Sequence, residues 1–183
     1  MFIQTEETPN PATLKFLPGR EVLGRGTADF ADAGGAHRSP LAQRLFEVEG
    51  VTRVFLGSDF VTVTKEEGRD WYLLKPSILG AIMEHFAAGR PVLLDEADDG
   101  HVASEDDDEV VAQIKELLDV RVRPAVAQDG GDITFHGFDK GVVYLAMKGA
   151  CAGCPSSTAT LKAGIENMLR HYIPEVVEVR QIR

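Results

Sequence analysis

Apolar residues recur along this chain at two different periods, and the switches between them mark its elements. Leu14-Lys15-Phe16-Leu17 followed by Pro18-Gly19 predicts a strand closed by a turn. Ser39-Pro40 supplies a capping hydroxyl and then a proline suited to the first helical position. Leu41, Leu45 and Val48 follow on one face, which predicts a helix. Val51 to Leu56 and Phe60 to Thr64 flank Gly57-Ser58-Asp59, a hairpin pattern. Lys75-Pro76-Ser77 is expected to open a second helix, with Ile78, Ile82 and Phe86 at helical spacing and Gly89 and Pro91 closing it. Residues 20–38, rich in Gly, Ala and Asp, give no assignment.

The second half reads more sharply. Val110, Ile114, Leu117 and Leu118 form a helical stripe, which Pro124 should kink or restart because it brings no N–H to the ladder. Asp129-Gly130-Gly131-Asp132 is expected to be a turn. Ile133 to Phe138 and Val142 to Met147 read as strands joined by Asp139-Lys140-Gly141. A helix from about Ser156 to Tyr172 should turn Leu161, Ile165, Met168, Leu169 and Tyr172 inward until Pro174 ends it. Val177 and Val179, alternating with Glu178 and Arg180, predict a last strand. The order is α-β-β-α-β, and the chain shows no internal repeat.

Charge divides these halves. The net charge is −10, yet residues 1–94 hold ten basic and twelve acidic residues and residues 109–183 hold nine of each. The excess lies in residues 95–108, with eight acidic residues and no basic one. Such a stretch repels itself and has little to bury, so it reads as a linker between two domains. The expected architecture is therefore two small mixed α/β (α+β) domains, 1–94 and 109–183, joined by an acidic linker. An acidic chain of this kind is a poor partner for nucleic acid or anionic membranes. No apolar stretch approaches the ~20 residues that cross a bilayer. The start, Met1-Phe2-Ile3-Gln4-Thr5-Glu6-Glu7, has no basic region before an apolar core and is acidic for a transit peptide. It suggests a protein that stays where it is made, in the cytoplasm, or an already processed form.

The chain has two cysteines, Cys151 and Cys154, three positions apart. That usage argues against a secreted disulfide scaffold and for chemistry at one site in a reducing compartment. They lie in Met147-Lys148-Gly149-Ala150-Cys151-Ala152-Gly153-Cys154-Pro155-Ser156-Ser157, where a strand ends and a helix begins. Gly149 and Gly153 let backbone N–H groups approach sulfur. Ser156 and Ser157 are expected to cap the helix, whose positive end, with Lys148, should favour thiolate, the metal-binding form. Spacing alone suits a thioredoxin-like redox pair, a shared zinc site or an iron–sulfur site. Iron–sulfur clusters usually take four cysteine ligands and one chain offers two. A symmetric dimer with the cluster on its two-fold axis completes the set. A cluster at such a boundary can leave for a partner's thiolates, which suits a carrier. His37, His85, His101, His136 and His171 form no ligand-spaced pair, and no hydrolytic triad, carboxylate pair or phosphate loop is present, so the chain is not expected to be an enzyme.

The Cys151–Cys154 loop, together with Asp129-Gly130-Gly131-Asp132, Leu161-Lys162-x-Gly164-Ile165-Glu166 and Ile173-Pro174-Glu175-Val176, resembles the C-terminal domain of NifU, the Nfu domain. Gln4-Thr5-Glu6-x-Thr8-Pro9-Asn10-Pro11-x-x-Leu14-Lys15-Phe16 resembles the N-terminal domain of Nfu proteins from mitochondria and some bacteria. The resemblance implies a 4Fe–4S (sometimes 2Fe–2S) cluster held by Cys151 and Cys154 across a homodimer. It implies receipt from upstream assembly proteins and delivery to apo iron–sulfur proteins such as lipoyl synthase and aconitase. In an organelle, the mitochondrial matrix would be the setting. The first domain carries no cysteine, so on this reading it does not bind the cluster.

Overall fold

The protein is described here from a computed structural model covering residues 2–24, 26–94, 109–150 and 155–182, with the side chains of residues 155–158 left aside. The chain divides into two compact units, residues 1–99 and 100–183, both of mixed α/β type as expected.

In the first unit β1 (Gln4–Glu7), β2 (Thr13–Leu17), β3 (Ala28–Phe30), β4 (Val51–Leu56) and β5 (Val61–Lys65) form one antiparallel sheet in the order β1-β2-β5-β4-β3. Alternation sends Leu14 and Phe16, Val54 and Leu56, and Val61 and Val63 to one face. There they meet Leu41 and Leu45 of α1 (Pro40–Phe46) and Ile78 and Ile82 of α2 (Trp71–Ala87) in a single buried cluster. Ser39 caps α1 as expected: its Oγ accepts from the Ala42 N–H at 3.0 Å. The hairpin between β4 and β5 forms as the sequence predicts. A Cβ at Gly57 would stand 2.3 Å from the Phe60 ring, so this corner admits only glycine.

The start of α2 differs from expectation. Asp70 caps it, accepting from the Tyr72 N–H at 2.9 Å, and Pro76 sits inside the helix. Pro76 falls in the second turn, where it forfeits one early ladder bond. The unassigned stretch 20–38 contains the three-residue edge strand β3 and a 3₁₀ segment, Ala33–Arg38.

In the second unit α3 (Glu109–Leu117) continues through a π-helical turn, Leu118–Val122, into α4 (Arg123–Gln128). Ile114, Leu118, Val122 and Val126 recur every four residues and are all buried. Over four residues an α-helix overshoots a full turn by about 40°, so this stripe would drift off the core. The i→i+5 turn, in which the Arg123 N–H donates to the Leu118 carbonyl, unwinds it back. It also ends just before Pro124, which has no N–H to give.

The strands β6 (Gly131–Asp139) and β7 (Val142–Gly149) form an antiparallel hairpin, with Lys140 and Gly141 both at positive φ in its two-residue turn. After β7 comes α5 (Pro155–Tyr172), and then β8 (Glu178–Ile182), which pairs with β7 in parallel. Ile165 and Leu169 of α5 are buried and Leu161 and Met168 partly so. Tyr172 is 48% exposed, contrary to expectation: the buried stripe steps from Ile165 and Leu169 to Ile173, which takes the inward position beside it. Val177 is likewise exposed, and Val179 alone of that pair enters the core.

One buried group gives the first unit a pH dependence. His85 of α2 is 5% exposed, and its Nε2 has no hydrogen-bond partner. Burial first, and the charge of Arg90 second, hold its imidazolium below the ordinary pKa. The unfolded chain therefore binds a proton that the folded one refuses. Stability is full above about pH 6.5 and falls as the pH drops through the lowered folded value. Urea unfolding of the first unit between pH 7.5 and 5 should show this loss, and His85→Leu should flatten the slope. An unchanged slope in that variant would contradict the assignment.

Candidate metal centre

Cys151 and Cys154, the predicted ligands, lie outside the described residues, so the centre is defined by the chain on either side of it. On the entering side β7 ends at Gly149, with φ +66°, a left-handed value that favours glycine. Ala150 is buried, and its N–H donates to the Gly130 carbonyl at 3.1 Å. On the leaving side α5 begins at Pro155, a residue pre-set for a first helical position. Ser156 and Ser157, expected as caps, fall inside the first turn instead, because the helix starts one residue earlier than the sequence suggested. The α5 N-terminus carries the positive end of an 18-residue helix dipole.

Directly across from this junction lies the Asp129–Asp132 segment. Only Asp129 and Gly130 form the turn, whereas Gly131 and Asp132 belong to β6, in register with Gly149 and Lys148. Asp132 is 3% exposed. Its carboxylate accepts a fork from Arg123, Nε to Oδ1 and Nη2 to Oδ2, both at 2.7 Å, and Oδ1 also accepts from the Ile133 N–H at 2.8 Å. Arg123 Nη1 donates to Asp119 at 3.3 Å. The hydrogen bonds to Asp132 raise the Arg123 pKa above its ordinary value, outweighing burial. Sequence reading passed over Arg123. The only signal was an arginine four residues after one aspartate and nine before another, and helix-to-strand pairing cannot be read from that.

The described histidines have other surroundings. His171 stacks edge-on against Tyr172 at 5.0 Å near the α5 C-terminus, His136 bonds Thr134 at 3.1 Å, and His85 is buried in the first unit. His101 lies outside the described residues. Among the described residues no three His, Cys, Asp or Glu side chains gather as a metal site, and no helix is long and apolar enough to cross a membrane.

Comparison with known proteins agrees with this layout. The family described as "Scaffold protein Nfu/NifU N terminal" matches residues 3–89, and the "NifU-like domain" matches residues 114–180. A human protein named "NFU1 iron-sulfur cluster scaffold homolog, mitochondrial" is 57% identical over 183 residues, covering all of this chain and 72% of its own length. Proteins of the same name from Drosophila ananassae and Drosophila erecta are 56% and 57% identical, over 64% and 65% of their lengths. The chain thus spans about two thirds of these fly relatives. The solution structure of a NifU-like protein from Saccharomyces cerevisiae is similar at 31% identity, covering 52% of this chain and 87% of that one, with a TM-score of 0.48. These matches place the chain among the iron–sulfur cluster scaffolds. The chain belongs to the Nfu family of these scaffolds.

The left-handed Gly149 supplies a test of the junction. Gly149→Ala should lower unfolding stability by about 1–2 kcal/mol, the left-handed penalty of a side chain. It should also reduce the iron retained after anaerobic reconstitution, read by iron and sulfide counts. A variant of wild-type stability would show that the backbone there relaxes freely.

Proposed function

We propose that two copies of this chain hold one 4Fe–4S cluster through Cys151 and Cys154 of each, and pass it as cargo to apo iron–sulfur proteins. The observation that carries the reading is the ligand count. The chain's only cysteines form one C-x-x-C pair within a NifU-like domain, and a cluster usually takes four thiolates. A homodimer supplies the other two with a two-fold axis through the site. The strand–helix junction supports it further, since the α5 dipole favours thiolate where the chain enters that helix.

The cluster is cargo, and the chain acts as scaffold and carrier, not as a turnover enzyme. The names of the relatives favour a mitochondrial setting, the matrix on this reading, over the cytoplasmic one expected from the first residues. Upstream assembly proteins are the proposed source, and apo-proteins of the lipoyl synthase and aconitase kind the proposed recipients. The first unit, without a cysteine, takes no part in ligation.

Anaerobic reconstitution with iron and sulfide should give a brown dimer with one four-iron cluster per two chains, read by Mössbauer spectroscopy, metal counts and light scattering. Cys151→Ala or Cys154→Ala should abolish stable binding. A stable cluster in either variant would refute the ligand assignment, and a loaded monomer with no added thiol would refute the bridging arrangement. Zinc in anaerobically purified protein, or reductase activity of an iron-free dithiol, would replace the reading with a zinc module or a thiol–disulfide oxidoreductase.

A further inference from the structure

Arg123 and Asp132 stand out as a charged pair with more geometric definition than a unit of this size needs for stability alone. Breaking a buried ion pair destabilises, yet replacing one wholly by apolar groups is often neutral. Its presence therefore argues for orientation and not for strength. The fork from Arg123 uses both carboxylate oxygens, and the Ile133 N–H takes a second site on Oδ1. Asp132 can thus occupy one orientation only, and the start of β6 is fixed to α4. From there the contacts lead one way. Gly131 pairs with Gly149, Asp132 pairs with Lys148, and the Gly130 carbonyl holds the Ala150 N–H at 3.1 Å. The next residue in the chain is Cys151. Among the described residues, the backbone hydrogen bond nearest the cysteines on the β7 side is therefore made to the segment that Arg123 clamps.

We propose that Arg123 and Asp132 are positioning residues for the cluster: through Gly130 they set the direction in which the chain leaves β7 toward Cys151, and so the lability of the bound cluster. This inference rests on the ligand reading proposed above. It assigns to the pair a task that neither residue performs by touching the metal. Asp119 accepts from the remaining guanidinium nitrogen, Nη1, on the helical side.

The test uses the full chain. Arg123→Lys keeps the charge and loses the fork; Asp132→Asn keeps the shape and loses the charge. Ile114→Ala, a core truncation remote from the junction in sequence, provides a control of comparable destabilisation. In iron-free protein, exchange of the Ala150 amide should accelerate about tenfold in both clamp variants while that of Leu145, in the middle of β7, stays unchanged. After reconstitution both should load iron as wild type does, lose it to an external iron chelator about tenfold faster, and shift the Fe–S stretching bands in resonance Raman spectra. The control should do none of these. If the clamp variants match the control in amide exchange and chelator rate, the pair is structural only and the inference is wrong. If wild type itself takes up no cluster, the ligand reading fails first, and the amide exchange alone then shows whether the clamp holds the junction. Should one variant fail to fold, the other carries the same measurements.

Discussion

Parallel pairing of β8 with β7 is the constraint from which the second unit follows. Antiparallel neighbours can be joined by two residues, as β6 and β7 are, but parallel neighbours need a crossover of a dozen residues or more. Here α5 is that crossover, and its 18 residues also provide the face that completes the core through Ile165 and Leu169. One consequence is chemical. The chain must turn from the end of a strand into the start of a helix within a few residues, and the cysteines occupy that turn. A strand end fixes the approach through ladder hydrogen bonds, and a helix start offers unpaired N–H groups and a positive potential. The same topology that closes the sheet thus produces a place suited to thiolates.

The hydrogen bond between Ala150 and Gly130 shows how the rest of the unit is recruited to that place. β6 is an edge strand, so its end would fray unless something held it. The α4 helix holds it through Arg123, whose backbone N–H closes the π turn and whose guanidinium forks onto Asp132. That turn exists because the apolar stripe keeps a four-residue period and because Pro124 cannot continue an α ladder. A stripe in the sequence, a proline and a buried fork are therefore links in one mechanical chain that ends at the cysteine junction.

Much of this was legible from residue patterns. Both hairpins, the Ser39 cap and the α-β-β-α-β order follow from local signals, because turns and caps depend on neighbours in sequence. What was not legible depended on distant partners. β1 is polar on most positions and is a strand only because β2 lies beside it. β3 spans three residues in a glycine-rich run and is held by β4. Pro76 imitates a helix start, and only Asp70, with its side chain bound to the Tyr72 N–H, shows where α2 begins. Tyr172 has a spacing that suits an inward position, but Ile173 beside it takes that position instead. At the centre, Cys151 and Cys154 were legible as ligand types by their number and spacing. Arg123 was not, since its meaning lies in a carboxylate on another element.

A carrier differs from most metalloproteins in one requirement: it must stay folded after its cargo has gone. A small zinc module can let the metal supply its folding energy, and it unfolds when the metal leaves. A unit of roughly 75 residues is near the size at which such help becomes necessary. Among the described residues this unit instead gathers thirteen buried apolar side chains, from Ile114 to Val179, none of them a cluster ligand on the proposed reading. On the proposed reading this separation matters physically. Cargo bound at the junction adds stability that grows with the logarithm of its affinity, and cargo that carried the fold could be released only by unfolding. Because those thirteen side chains do not ligate, release on this reading needs the junction to yield and not the described core. Cluster lability then becomes a local property, set by how firmly the few residues around Ala150 are held.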